Sequence, residues 1–255
     1  MKSYIIFLIA MIIASGFVTT ASAVSTKDDK NSDDVNIKEE IVGTTPDGKT
    51  LIKRIVSHPK EKPVKQVSQN GKAPKDSCSK SFARWTTTPV NYHFRPNNVY
   101  GLDWIELANT INIASKTWDD ATGTSLVNDL TPDGTNSFGV YDGKNSVVFG
   151  DNVGDTGVIA QTIIWYYRGF GGRPGQIVEF DMSLEEDFPW AMDGNPSVMD
   201  VQNIATHEFG HAFGLSDLYT SACSQQTMYG YSWVGDIEKR TLESGDIRGI
   251  RYLYP

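Results

Sequence analysis

The stretch from Thr206 to Asp217, T-H-E-F-G-H-A-F-G-L-S-D, constrains this chain more than any other. His207 and His211 stand four residues apart, so a helix through them presents both imidazoles on one face, one turn apart. Two imidazole nitrogens placed this way can bind a single Zn²⁺. Glu208 follows the first histidine and can lie beside such a metal without ligating it, where a carboxylate can take a proton from water. Gly214, three residues beyond His211, can end the helix in the left-handed conformation and swing the chain back toward the metal. Asp217 is then placed to supply a third ligand through oxygen. Three protein ligands leave a fourth position for water, as a catalytic zinc site requires and a closed structural site does not. The competing picture is a surface helix with two histidines and a glutamate, which leaves Gly214, Asp217 and a downstream methionine unexplained.

Further motifs extend the pattern. Thr227-Met228-Tyr229-Gly230 follows the histidine stretch, Leu242 to Tyr254 closes the chain, and Trp85 to Tyr92 with Phe94 opens the same region. The histidine motif and its methionine turn resemble the metzincin clan of zinc endopeptidases. Asp217 in the third ligand position resembles the snapalysin type, whereas the methionine turn, the closing segment and the opening segment are similar to those of matrixins. The resemblance covers most of the chain from about Cys78 to the end. It implies an α+β fold: a mixed twisted β-sheet with two long helices in an N-terminal subdomain, then a small C-terminal subdomain with the Met-turn and a terminal helix, and a cleft between them. It also implies one catalytic Zn²⁺ on His207, His211 and Asp217, Glu208 as general base, Met228 as an apolar floor beneath the metal, and protein or peptide as substrate. Gly154 to Thr162 is expected to be the strand bordering the cleft, where an extended substrate adds as another strand; an ordinary interior strand is the alternative. A different zinc hydrolase and a non-enzymatic binding protein are the rival classes.

The N-terminal third reads differently. Residues 1–23 have the pattern of a signal peptide, with Lys2, an apolar run from Tyr4 to Val18 and Ala21-Ser22-Ala23 as a cleavage pattern; an uncleaved anchor is the alternative. Secretion, without a stable membrane span after signal cleavage, is therefore expected. Residues 24–77 contain no aromatic residue, a K-D-D-K-N-S-D-D run and a Lys-rich stretch from Lys49 to Lys75. Such a segment is expected to be poorly ordered, as a solvated spacer or as a removable pro-segment lying against the main domain. The P-R-C-G-x-P-D switch of matrixins is absent from it.

Residues 78–255 form the expected catalytic domain. They hold 22 acidic against 11 basic side chains, a net −11 within an overall charge of −8, which argues against a nucleic-acid partner. Cys78 and Cys223 are the only cysteines. In an exported chain an even pair favours a disulfide, and Cys78 as a zinc-blocking thiol is the rival. Val90 to Phe94, Ser146 to Phe149 and Ile177 to Met182 read as strands, and Asp103 to Ala121 as an amphipathic helix that buries Trp104 and Trp118. Ser197 with Asp200 three on predicts a capping box opening the active-site helix near Val198. Asp142, Asp151, Asp155, Asp181 and Glu185 offer oxygen ligands that could hold Ca²⁺. The expected molecule is a monomer.

Overall fold

The computed structural model describes residues 36–60, 78–154 and 157–255. The signal segment, residues 24–35 and 61–77, and Asp155 lie outside the described residues.

Ten strands and three α-helices follow in order: β1 (Ile37–Thr44), β2 (Thr50–Pro59), β3 (Ala83–Arg84), β4 (His93–Arg95), α1 (Trp104–Thr122), β5 (Thr131–Pro132), β6 (Ser146–Gly150), β7 (Val158–Tyr167), β8 (Gly175–Glu185), β9 (Trp190–Ala191), β10 (Met199–Asp200), α2 (Val201–Ala212) and α3 (Ser244–Leu253). The main sheet runs β1-β2-β7-β8-β6-β4-β5, with β3 alongside β8. It is antiparallel from β1 to β8 and parallel from β8 through β6 and β4 to β5. This is the α+β arrangement expected from the resemblance.

Residues 36–60 overturn the expectation of poor order in this part of the 24–77 segment. β1 and β2 form an antiparallel hairpin around a turn at Thr45 to Lys49, closed by Gly48 N–H donating to the Thr45 carbonyl at 2.9 Å. The reason is a period of two that the charge count conceals. Ile52, Arg54, Val56 and His58 alternate inward and are buried, while Lys53, Ile55 and Ser57 between them are only half-buried. Val56 and Ile52 join the main core, and Arg54 is paired with Glu39 of β1.

The helix α1 begins where Asp103 caps it, its side chain accepting from the N–H groups of Ile105 and Glu106. It buries Leu107, Ile111, Ala114 and Trp118, but Trp104 is 53% exposed, so only the second of the two tryptophans is core. Trp104 is the first residue of the helix and falls off the stripe set by Leu107, Ile111 and Trp118. Trp118 fastens α1 to α2 by donating its indole N–H to the Thr206 carbonyl at 2.9 Å. The tail of the molecule is tied by Asp246 near the start of α3, whose carboxylate accepts from the N–H groups of Thr227 (2.7 Å), Met228 (3.1 Å) and Glu243 (3.0 Å).

Cys78 and Cys223 form a disulfide across a sequence separation of 145. The expected pairing holds, and the rival role of Cys78 as a zinc-blocking thiol falls away. A cross-link over so long a loop removes much of the entropy of the unfolded chain. Replacing both cysteines (Cys78→Ser, Cys223→Ser) is expected to lower stability by about 2–5 kcal/mol, read from urea unfolding of the variant against the parent. An unchanged midpoint would show that the bond contributes nothing.

Candidate metal centre

The helix α2 opens later than the capping-box reading predicts. Asp200 is its N-cap, accepting from Asn203 N–H at 2.9 Å, and Val201 is its first residue. Ser197 lies outside it because β10 holds Met199 and Asp200 in extended pairing with β9. Arg240 donates from Nε to the same Asp200 carboxylate at 2.8 Å and locks the cap to the C-terminal part of the chain.

The C-terminal end of α2 brings the candidate ligands together. Leu215 N–H donates to the Gly210 carbonyl and Gly214 N–H to the His211 carbonyl, both at 2.9 Å, the two-bond pattern of a helix stopped by a left-handed residue. Gly214 has φ of +98°, and a Cβ there would come within 1.8 Å of the Ala83 carbonyl oxygen. Only glycine fits, and the sharp reversal carries Asp217 back beneath His207 and His211. Ser216 N–H then donates to the Lys80 carbonyl at 2.8 Å, fixing the returning strand.

The result is a tight cluster. His207 Nε2 lies 3.1 Å from His211 Nε2 and 3.1 Å from Asp217 Oδ1, and His211 Nε2 lies 3.4 Å from the same oxygen. On the far side of each ring, Nδ1 faces a backbone carbonyl, Thr227 at 2.7 Å for His207 and Leu215 at 2.9 Å for His211. A carbonyl only accepts, so each Nδ1 carries a proton and each Nε2 is turned toward the cluster. Burial pushes the His207 imidazole down to about 3, which keeps it neutral. Two imidazole Nε2 atoms and a carboxylate oxygen thus face one another, and although burial opposes it, the Asp217 carboxylate raises the pKa of His211. Asp217 Oδ1 has no hydrogen-bond partner, while its Oδ2 accepts from Tyr219 at 3.1 Å. A divalent cation is the group that satisfies such a donor set.

Glu208 adjoins this cluster. Its Oε2 accepts from Thr162 Oγ1 of β7 at 2.6 Å, and its Oε1 has no hydrogen-bond partner. Burial raises its pKa. Met228 lies under α2 at Gly210, where an added Cβ would meet its sulfur at 2.2 Å and Trp118 at 2.8 Å. The turn bearing Met228 is held by Leu218 N–H donating to the Met228 carbonyl at 2.8 Å. Lys239, buried beyond it, has its amine pushed down to about 8 by burial, and donates to the Tyr229 carbonyl.

Matching this chain to known families finds the model described as Matrixin over residues 84–255. The chain belongs to the matrixin family. Among curated relatives it is 31% identical to the hatching enzyme of Paracentrotus lividus over 171 residues, 65% of this chain and 25% of that protein. It is 23% identical to stromelysin-3 of Xenopus laevis over 202 residues, 75% of this chain and 37% of that protein. With matrilysin of Felis catus it shares 37% identity over 82 residues, 32% of this chain and 30% of that protein. The chain therefore spans only about a quarter to just over a third of the length of these relatives.

Other predicted residues fare differently. The acidic side chains considered for Ca²⁺ do not converge: among the described residues no three of them bring ligand atoms within 4.8 Å of one another. Asp181 instead accepts from Gly139 N–H at 2.8 Å, and burial pushes its carboxyl up to about 8. Glu185 accepts from the N–H groups of Asn152 and Val153. The expected cleft strand, β7, begins at Val158 and lies inside the sheet, because β2 covers the side that an incoming peptide would use. His58 and Thr162 were missed as site residues; the alternation of β2 and β7 was the signal that places both on the inner face.

Gly214→Ala is expected to cost about 2–5 kcal/mol, from left-handed strain together with overpacking against Ala83. The measurement is urea unfolding, with zinc content read alongside because the same change displaces Asp217. Parental stability with full zinc loading would refute the constraint.

Proposed function

We propose that this chain is a secreted zinc-dependent endopeptidase, with His207, His211 and Asp217 holding the metal and Glu208 acting as general base. The observation that carries the reading is the convergence of two imidazole nitrogens and a carboxylate oxygen beside a buried carboxylate with one unpartnered oxygen. Zinc held there supplies Lewis-acid chemistry, polarising a peptide carbonyl and making water more acidic.

The chain's own residues do the rest. Thr162 pins Oε2 of Glu208 and so fixes the plane of the carboxylate, leaving Oε1 to accept a proton from the attacking water. The same oxygen then returns the proton to the leaving amine, as a positioned carboxylate does in general acid–base catalysis. The imidazoles keep their orientation through the Thr227 and Leu215 carbonyls, and the Met228 turn supports α2 from below. Residues 24–77 act as a pro-segment, and its removal with β2 would free the edge of β7 for an extended peptide to add as a strand. Carboxylate ligation by Asp217 follows the snapalysin pattern. Export follows from the signal-like residues 1–23, and among the described residues no helix is long and apolar enough to cross a membrane.

Glu208→Gln keeps the shape and removes the proton acceptor. Casein cleavage is expected to fall by about 10²–10⁴-fold, with zinc still bound at one ion per chain, when variant and parent pass through the same activating proteolysis. A variant that retained parental turnover would remove Glu208 from the reaction.

A further inference from the structure

The face of α2 that carries the two histidines carries one more polar residue. Asn203 stands four residues before His207, so its side chain projects from the same face one turn earlier, about 5.4 Å along the helix axis. It is buried. Its Oδ1 accepts from Lys239 N–H at 2.7 Å, which fixes the orientation of the amide. The other end of that amide, Nδ2, is buried and has no hydrogen-bond partner.

Lys239 brings a cation to the same place. It lies in the segment after the Met228 turn and is only 4% exposed. Its ammonium donates to the Tyr229 carbonyl, a neutral acceptor, and among the described residues it forms no ion pair. It is close enough to the metal centre for its charge to act on His207, Asp217 and Glu208. The carboxylates around it are engaged elsewhere. Asp236 accepts from Glu238 N–H at 3.0 Å, Asp246 from the N–H groups of Thr227, Met228 and Glu243, and Asp217 and Glu208 belong to the metal centre.

A buried ammonium with one neutral partner is costly, and Leu or Met would fill the same space without that cost. An amide nitrogen left without an acceptor adds to it. Both costs fall if an anionic oxygen group enters beside α2, because a carboxylate accepts from an ammonium and an amide at once. An apolar side chain entering there would leave both donors as they are. We propose that Lys239 and Asn203 form a specificity site beside the metal that takes an Asp or Glu side chain flanking the scissile bond, with Lys239 as its counter-ion and Asn203 Nδ2 as a second donor. The site would open with the removal of the pro-segment, since Lys60 just past β2 bridges Ser232 of the same segment. This inference rests on reading the site as a hydrolytic zinc centre.

The test uses the zinc-loaded chain after activating proteolysis, given a peptide mixture that presents every residue type, with the cut sites read by mass spectrometry. Asp and Glu are expected to be enriched at one of the two positions flanking the cut. For a peptide from that set, the ratio of its kcat/KM to that of its carboxamide counterpart is expected to fall by about 10–100-fold in Lys239→Met. A ratio of two substrates is untouched by a loss of folded or zinc-loaded protein, which a merely structural role would cause. Fluorescence anisotropy on the Glu208→Gln protein is expected to show tighter binding of the acidic peptide than of its counterpart by a similar factor. Cleavage without acidic enrichment, or an enrichment that survives Lys239→Met, would overturn the role of Lys239 and leave the endopeptidase reading standing. A zinc-loaded chain that cleaves no peptide would overturn that reading and this inference with it. Should Lys239→Met fail to fold, the parent's cut sites and the paired binding measurement on Glu208→Gln decide the matter.

Discussion

Everything in the site depends on one electrostatic arrangement: two imidazole Nε2 atoms and a carboxylate oxygen directed at one small volume inside the protein. The fold must gather these three groups from two segments of the chain. The helix does part of this through the i, i+4 spacing of His207 and His211. The reversal at Gly214 does the remainder, since Asp217 reaches the cluster only because the chain can pass against Ala83 without a side chain. The carbonyls of Thr227 and Leu215 set the tautomers, and Thr227 is itself held by the Asp246 carboxylate. The ends of α2 and α3 and the Met228 turn are thus one mechanical unit around the metal position.

Much of this was legible in the sequence because each device is local. The histidine spacing, the helix-ending glycine and the candidate third ligand lie within eleven residues, His207 to Asp217, and each has a definite stereochemical meaning. The helix α1 and the central strands showed their periods plainly. The cysteine pair followed from counting. What was not legible depended on partners far away in sequence. Nothing near Ser197 reveals that β9 will draw Met199 and Asp200 into a strand and delay the helix. Nothing near Trp104 reveals that the surface beyond it stays open.

The hairpin is the instructive miss. Its charge and lack of aromatic residues suggest a solvated segment, and taken alone a two-stranded ribbon is marginal in water. It is ordered because β7 offers a long unpaired edge, and an edge of that kind recruits whatever strand is near. The alternation of Ile52, Arg54, Val56 and His58 was present in the sequence, but its meaning depended on knowing which surface those four side chains would face. Composition averages over the two faces of a strand, and the two faces of β2 differ sharply.

The disulfide is placed so that it does not restrain this hairpin. Cys78 is joined to Cys223, on the far side of residues 61–77, and no other cysteine exists in the chain. The hairpin is therefore tied to the metal-binding part by main chain alone. While that tether is whole, rebinding of β2 is intramolecular and independent of how dilute the protein is. A single nick in the tether would make it a bimolecular event, and its extent would then depend on how dilute the protein is.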